Sequence, residues 1–363
     1  MTASAPVPAA ESAGTVLVAR LDNAGDVLLA GPAIRAVAAR AREVVLLAGP
    51  HGRAAGELLP GVSRVIEWRT PWIDAEPPPV TGAHTARLLR AVRETAPDQA
   101  LILTSFHQSP LPLALLLRLA GVPRISAISN DYPGSLLDLR RVVDEDVDVP
   151  EAERMLALAR AAGFDLPPGD GGGLAVRRPL PEAGHLTGPP GYVVVHPGVS
   201  APARAWPAEN WADLVRRLSA GGRRVMVTGS PGEKELTGRI AAAAAGGPGS
   251  PGTVTDLGGA TTMAELAAVL AGASVVVAAN TGPAHLAAAV GTPVVSLFAP
   301  VVPAARWAPY GVPRVVLGDQ HAPCRGTRAR ICPVPGHPCL SSVPGERVAE
   351  AVRRLAVPQE AAV

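Results

Sequence analysis

The feature that most constrains the fold is a recurring pattern: a short apolar run stops at a small-residue turn, and helical periodicity begins at once. It is clearest where Val275-Val276-Val277-Ala278-Ala279 passes through Asn280-Thr281-Gly282 into Pro283-Ala284-His285-Leu286-Ala287-Ala288-Ala289. Strands that feed directly into helices belong to parallel sheets with crossover helices. Such a turn gathers backbone N–H groups and the positive end of a helix where the strand stops, a geometry that binds phosphate. Pro283 suits a first-turn position because it gives up no hydrogen bond there. His285 stands where a ring N–H can reach the same anion. An ordinary strand-to-helix turn capped by Asn280 or Thr281 accounts for the same residues.

The pattern repeats through both halves of the chain. In the first, strands are expected over 15–20, 43–47, 64–67, 99–104 and 124–128, with helices over 27–42, 81–94, 111–120 and 151–162. Leu21 to Asp26 then form a loop that places Asp26 at the mouth of a sheet. Pro and Gly dominate 165–191, the composition of an inter-domain linker. Alternation resumes with strands from Tyr192 and near 223–227, 274–278 and 293–297, and helices near 209–219, 232–245, 263–271, 283–290 and 345–355. The expected division is a disordered tail over 1–14, an N-terminal domain over 15–165, a linker over 166–190, a C-terminal domain over 191–345 and a terminal helix and tail over 346–363. The fold class is α/β, with two doubly wound Rossmann-like domains facing across a cleft.

A chain of 363 residues suits two such domains. Its apolar stretches are broken by Arg, His, Pro or Gly before the roughly 18 residues a spanning helix needs. Residues 1–14 lack a basic group ahead of an apolar core, so they do not read as an export signal. These features predict a cytoplasmic protein with at most peripheral membrane contact, at the inner face of the cell membrane. A net charge of +2 argues against a nucleic-acid partner, which needs a concentrated basic face. Cys324, Cys332 and Cys339 share a segment with His321 and His337, but lack the close Cys-x-x-Cys pair of a zinc ribbon. No metal and no cofactor are expected.

Four separated blocks resemble glycosyltransferase family 9, which includes the lipopolysaccharide heptosyltransferases. They are the Gly25-Asp26 loop, His196-Pro197-Gly198 with Arg204-Ala205-Trp206-Pro207 beyond it, Thr228-Gly229-Ser230-Pro231-Gly232-Glu233, and Thr281-Gly282-Pro283-Ala284-His285. The resemblance runs from about residue 15 to about 345. It implies the GT-B architecture, with the donor nucleotide on the C-terminal domain. It implies an inverting, metal-independent transferase moving a sugar from a nucleotide-diphosphate sugar, ADP-heptose-like, to a glycan, lipid-linked or small-molecule acceptor. Its rivals are a non-catalytic nucleotide-sugar sensor or partner subunit, and a nucleotide-sugar epimerase or hydrolase.

By this resemblance Asp26 is the general base for the acceptor hydroxyl, although the cap of a helix starting at Val27 is an alternative role. Arg204, past the Gly198-Val199-Ser200 turn, would neutralise the diphosphate leaving group. The amides of Thr281 and Gly282, together with His285, would hold the same group, and Ser200, Asn280 and Pro283 complete the donor site. Glu233 would accept both ribose hydroxyls, or else simply complement a helix N-terminus. Asn23, His107 and Gln108 are the candidates for acceptor contact, and His107 suits a sheet edge equally well. Closure of the two domains would align nucleophile and anomeric carbon. Asn280 departs from the Asp usual in the family, trading a charge for an added donor. Trp206 and Trp211 are expected in the core.

Two motifs fail on context. Gly247 to Gly252 matches Gly-x-Gly-x-x-Gly but follows an alanine run and precedes a strand, so the receiving helix is missing. The run Asp144-Glu145-Asp146-Val147-Asp148 contains Asp-x-Asp twice and is expected to be a solvated acidic turn.

Overall fold

A computed structural model describes residues 13–244 and 252–356. Most of the expected N-terminal tail, nearly all of the Gly247–Gly252 motif and the end of the C-terminal tail lie outside the described residues. The chain divides into two compact units, one built from residues up to Glu145 and from Ala152–Gly171, the other from Asp146–Glu151 and from Gly172 onward.

The first unit carries strands β1 (Thr15–Arg20), β2 (Glu43–Ala48), β3 (Arg64–Glu67), β4 (Gln99–Ile102), β5 (Ile125–Ile128) and β6 (Leu139–Arg141). All pair in parallel, in the order β3-β2-β1-β4-β5-β6. Between them run α1 (Ala24–Leu29), α2 (Gly31–Ala38), α3 (Arg53–Leu58), α4 (Gly82–Thr95) and α5 (Leu111–Ala120), with α6 (Glu151–Ala161) after β6. The central strands read as unbroken apolar runs because helices cover both faces of the sheet; every residue of β1 is buried. Thr81 caps α4 by accepting from His84 N–H, and α5 stops at Gly121 in the left-handed region. The helix expected over 27–42 is instead two. It starts earlier, at Ala24, and is interrupted at Ala30 just before Gly31-Pro32, where the proline has no N–H to continue the ladder.

After a stretch from Gly172 whose regular element is α7 (Gly184–Thr187), the second unit repeats the plan. Its strands are β7 (Tyr192–His196), β8 (Val225–Gly229), β9 (Val254–Gly258), β10 (Ala273–Ala279), β11 (Val294–Leu297) and β12 (Arg314–Leu317), ordered β12-β11-β10-β7-β8-β9 and all parallel. The helices are α8 (Ala208–Ala220), α9 (Lys234–Ala244), α10 (Met263–Ala271), α11 (Gly282–Val290), α12 (Ala304–Trp307), α13 (Pro338–Ser341) and α14 (Gly345–Leu355). Thr262 and Glu265 form a capping box on α10. Trp206 and Trp211 lie in the core, edge to face at 5.0 Å, and Trp206 Nε1 donates to Val343 O at 3.1 Å.

Counted within its own unit, each sheet has the strand order 3-2-1-4-5-6. In such a sheet the connections leave in opposite directions at the two central strands, opening a crevice at their carboxyl ends. The central pairs are β1 with β4 and β7 with β10. The loops that follow these four strands hold most of the residues singled out above.

Candidate active site

In the first unit, Arg20 ends β1 and is wholly buried. Its guanidinium organises the loops after β1 and β4. Nη2 donates to Asp26 Oδ1 at 3.0 Å and to Ser105 Oγ at 2.8 Å, and Nη1 donates to Leu103 O at 3.3 Å. Nε lies 3.2 Å from Asp22 Oδ2. Gln108 ties the two loops together, donating from Nε2 to Asp22 Oδ1 at 2.5 Å and accepting from Ser105 N–H at 3.0 Å. Its amide is thus occupied at both ends, whereas Asn23 and His107 are exposed.

Asp26 is in neither the loop nor the cap position expected of it. Helix α1 begins at Ala24 with Asn23 at the cap position, so Asp26 stands inside the first turn. A carboxylate there is favoured by the helix dipole, and its side chain remains 21% exposed. Asp22, at 10%, is more deeply set. Burial pushes Asp22 above the usual carboxylate range; Arg20 opposes this, and the neighbouring Asp26 charge adds to it. Neither Arg20 nor Asp22 was singled out by motif. The available signal was a charge in the last position of an otherwise apolar strand.

In the second unit, Arg204 closes a single 3-10 turn after β7, and its Nη1 donates to Asn280 O at 3.3 Å. The loop after β7 therefore meets the loop after β10. Asn280 is buried, and its Oδ1 has no hydrogen-bond partner among the described residues. Thr281 holds the cap position of α11 without a side-chain cap bond. Its N–H is already donated to Ala279 O at 2.8 Å, which removes it from the amides expected to face an anion. Gly282 N–H opens the helix, and Pro283 follows it in the first turn. His285 is buried, on the next turn of α11. Ser200 is exposed, and its carbonyl accepts from Arg330 Nη2 at 3.1 Å.

Glu233 closes a 3-10 turn ahead of α9 and forms a capping box with Ser230, whose N–H it accepts at 2.7 Å. Its Oε2 also lies 3.9 Å from His196 Nε2. Gly198 passes so close that a Cβ there would overlap the Glu233 carboxylate. His196 pairs through Nδ1 with Thr228 Oγ1 at 3.0 Å. Burial lowers its imidazole to about 4, against the opposing pull of Glu233, so the ring is neutral at physiological pH.

Cys324 and Cys339 are buried and Cys332 is half-buried. Burial, with the nearby Cys324 and Cys332, pushes the Cys339 thiol up to about 12. Among the described residues no group of three or more His, Cys, Asp or Glu is placed to hold a metal ion. The acidic run turns at Glu145 and Asp146 and leaves Asp144, Asp146 and Asp148 exposed, as expected from sequence, while Asp148 Oδ1 accepts from Arg306 Nε at 2.6 Å and Glu145 lies 3.6 Å from Arg154.

The fold matches that of the Escherichia coli ADP-heptose lipopolysaccharide heptosyltransferase II, with a TM-score of 0.72 and 23% identity over 96% of this chain and 100% of that one. It also matches E. coli heptosyltransferase WaaC solved with ADP-2-deoxy-2-fluoro heptose, with a TM-score of 0.64 and 21% identity over 94% and 99% of the two chains. In sequence, 175 residues are 35% identical to lipopolysaccharide heptosyltransferase 1 of Pseudomonas aeruginosa strain PAO1, a match spanning 48% of this chain and 46% of that relative's length. The model of glycosyltransferase family 9 (heptosyltransferase) matches residues 85–336, more than half of the chain, and the chain belongs to that family.

Proposed function

We propose that this chain is an inverting glycosyltransferase that moves a sugar from a nucleoside-diphosphate donor, ADP-heptose-like, to a hydroxyl of a glycan or lipid-linked acceptor without a metal ion. The observation that carries the reading is Asp26. It is a partly exposed carboxylate at the mouth of the first sheet, held in one orientation by a buried arginine. A purely structural ion pair has no need of that exposure, and a nucleotide-sugar sensor has no use for a base.

In the proposed step the acceptor hydroxyl gives its proton to Asp26 as its oxygen bonds to the anomeric carbon. The bond from that carbon to the diphosphate oxygen breaks on the opposite face, inverting the centre. The leaving diphosphate gathers negative charge, which Arg204 and the amino end of α11, with the Gly282 N–H, stabilise. Ser200, Asn280 and Glu233 line the donor end, with Asn280 Oδ1 available to accept from a donor hydroxyl. The proposed place of action is the cytoplasm, at the inner face of the membrane where the acceptor is lipid-linked. Among the described residues no helix is long and apolar enough to cross a membrane.

Asp26→Asn tests the assignment. The amide keeps the side chain's shape and can still accept from Arg20, but it takes no proton. Turnover should fall by about 10² to 10⁴, with donor affinity unchanged in a thermal-shift titration. Near-normal turnover would show that Asp26 is structural.

A further inference from the structure

Arg20 is a buried cation facing two acids, Asp22 at 3.2 Å and Asp26 at 3.0 Å. The rest of its fork is committed to Leu103 O and Ser105 Oγ, so the guanidinium cannot swing from one carboxylate to the other. The contact with Asp22 is close but not an aligned hydrogen bond: Asp22 Oδ2 and Arg20 Nε face each other without meeting that geometry. Asp22 is instead fixed by Gln108, through Oδ1. The loop after β2 packs on the same segment, since a Cβ at Gly52 would sit 2.9 Å from Asp22 O.

Other charged or titratable groups lie on the neighbouring elements. Arg154 of α6 reaches the loop after β4 through Thr104 O at 2.6 Å and pairs with Glu145. His107 on that loop and His51 on the loop after β2 are exposed.

We propose that Arg20 is the positioning residue for Asp26, and that Asp22 makes Asp26 a competent base by sharing the Arg20 charge. The inference rests on the assignment of Asp26 as base. With both acids ionised the trio carries one net negative charge, and it becomes neutral when Asp26 accepts the acceptor's proton. Without the Asp22 charge the same step would turn a neutral pair into a buried, uncompensated cation, which a low-dielectric site resists. Arg20 thus supplies orientation, while Asp22 supplies the charge that lets the trio take up a proton without leaving a buried cation unmatched.

The first test reads Asp22 directly, by carbon NMR of protein labelled at aspartate Cγ, with the resonance assigned through Asp22→Asn. Asp22 should titrate above the ordinary carboxylate range, and in Asp26→Asn its midpoint should fall by about one pH unit because the like charge is gone. An Asp22 midpoint unmoved by Asp26→Asn overturns the inference.

The second test reads turnover, with ADP-heptose and heptose-deficient lipopolysaccharide as probes. Asp22→Asn should lower kcat about tenfold and move the acidic limb of the pH profile to lower pH, leaving KM for the donor unchanged. A wild-type pH profile in that variant overturns the charge-sharing role. Arg20→Lys keeps the charge but loses the fork, so it should leave the Asp22 titration near its wild-type position while slowing turnover. Wild-type turnover in Arg20→Lys overturns the positioning role. The two levels fail separately: a catalytically normal Asp26→Asn removes the base assignment, whereas an unmoved Asp22 titration removes the charge sharing with the base intact.

Discussion

His196 is buried beside Thr228 and Glu233, and its imidazole is lowered from 6.5 to about 4. Above pH 6.5 neither the folded nor the unfolded chain protonates it, so the shift has no effect there. As pH falls through the window down to about 4, the unfolded chain takes up a proton that the folded chain refuses, and stability is lost on the acid side. The full difference is on the order of 3 kcal/mol. Urea unfolding of wild type and His196→Gln at a series of pH values should show a shallower acid-side decline in the variant; parallel declines would mean that His196 is not the group responsible. Arg204 offers a second test at this scale. A charge-assisted hydrogen bond is worth about 1.5 to 3 kcal/mol, so Arg204→Ala should weaken nucleoside-diphosphate binding by about ten- to a hundredfold in calorimetry. Unchanged affinity would shift the clamp to another cation, with Arg330, which reaches the Ser200 carbonyl on the same loop, the first to try.

The loops that follow β7 and β8 depend on a close approach rather than on a side chain. Gly198 leaves room for the Glu233 carboxylate, which in turn caps its own 3-10 turn through Ser230. In Gly198→Ala the new methyl group and that carboxylate compete for one space, so the capping box opens and the turn shifts. A loss of about 1 to 3 kcal/mol in unfolding free energy is expected, together with weaker donor binding. A variant with wild-type stability would show that Glu233 can step aside at no cost. The requirement is invisible in a linear reading, because Gly198 and Glu233 meet only when β7 and β8 pair. Elements with local causes were legible: β1 and β3 fall on the expected residues, as do α5, α10 and α14, each an apolar or helix-periodic run closed by a cap, a glycine or a turn. Two kinds of miss have a physical reason. Strands β6 and β12 are short edges with arginines, where charge blocks further pairing and hides the apolar signal. The break at Ala30 came from the proline two residues on, which outweighed the helical periodicity around it.

At the scale of the whole molecule, the same strand order built twice explains why the chemistry-bearing residues cluster as they do. Segments following β1 and β4 share Arg20, and segments following β7 and β10 share Arg204, because each pair of strands lies side by side at the centre of its sheet. Sequence blocks pointed to Asp26, Arg204 and the Asn280 turn but not to Arg20 or Asp22, whose bonds to Leu103, Ser105 and Gln108 join positions far apart in the chain. In the proposed mechanism Arg204 and the amino end of α11 meet the charge of a departing diphosphate, and no divalent ion is called for. Within the acidic run, Glu145 and Asp148 are engaged by Arg154 and Arg306. Protein stripped with EDTA and assayed with a confirmed donor and acceptor should therefore keep its turnover, and added magnesium or manganese should change it by less than about twofold. Strict dependence on either ion would mean that the diphosphate is held by a metal the arginines cannot replace, and would return the acidic run at Asp144–Asp148 to consideration as its ligand source.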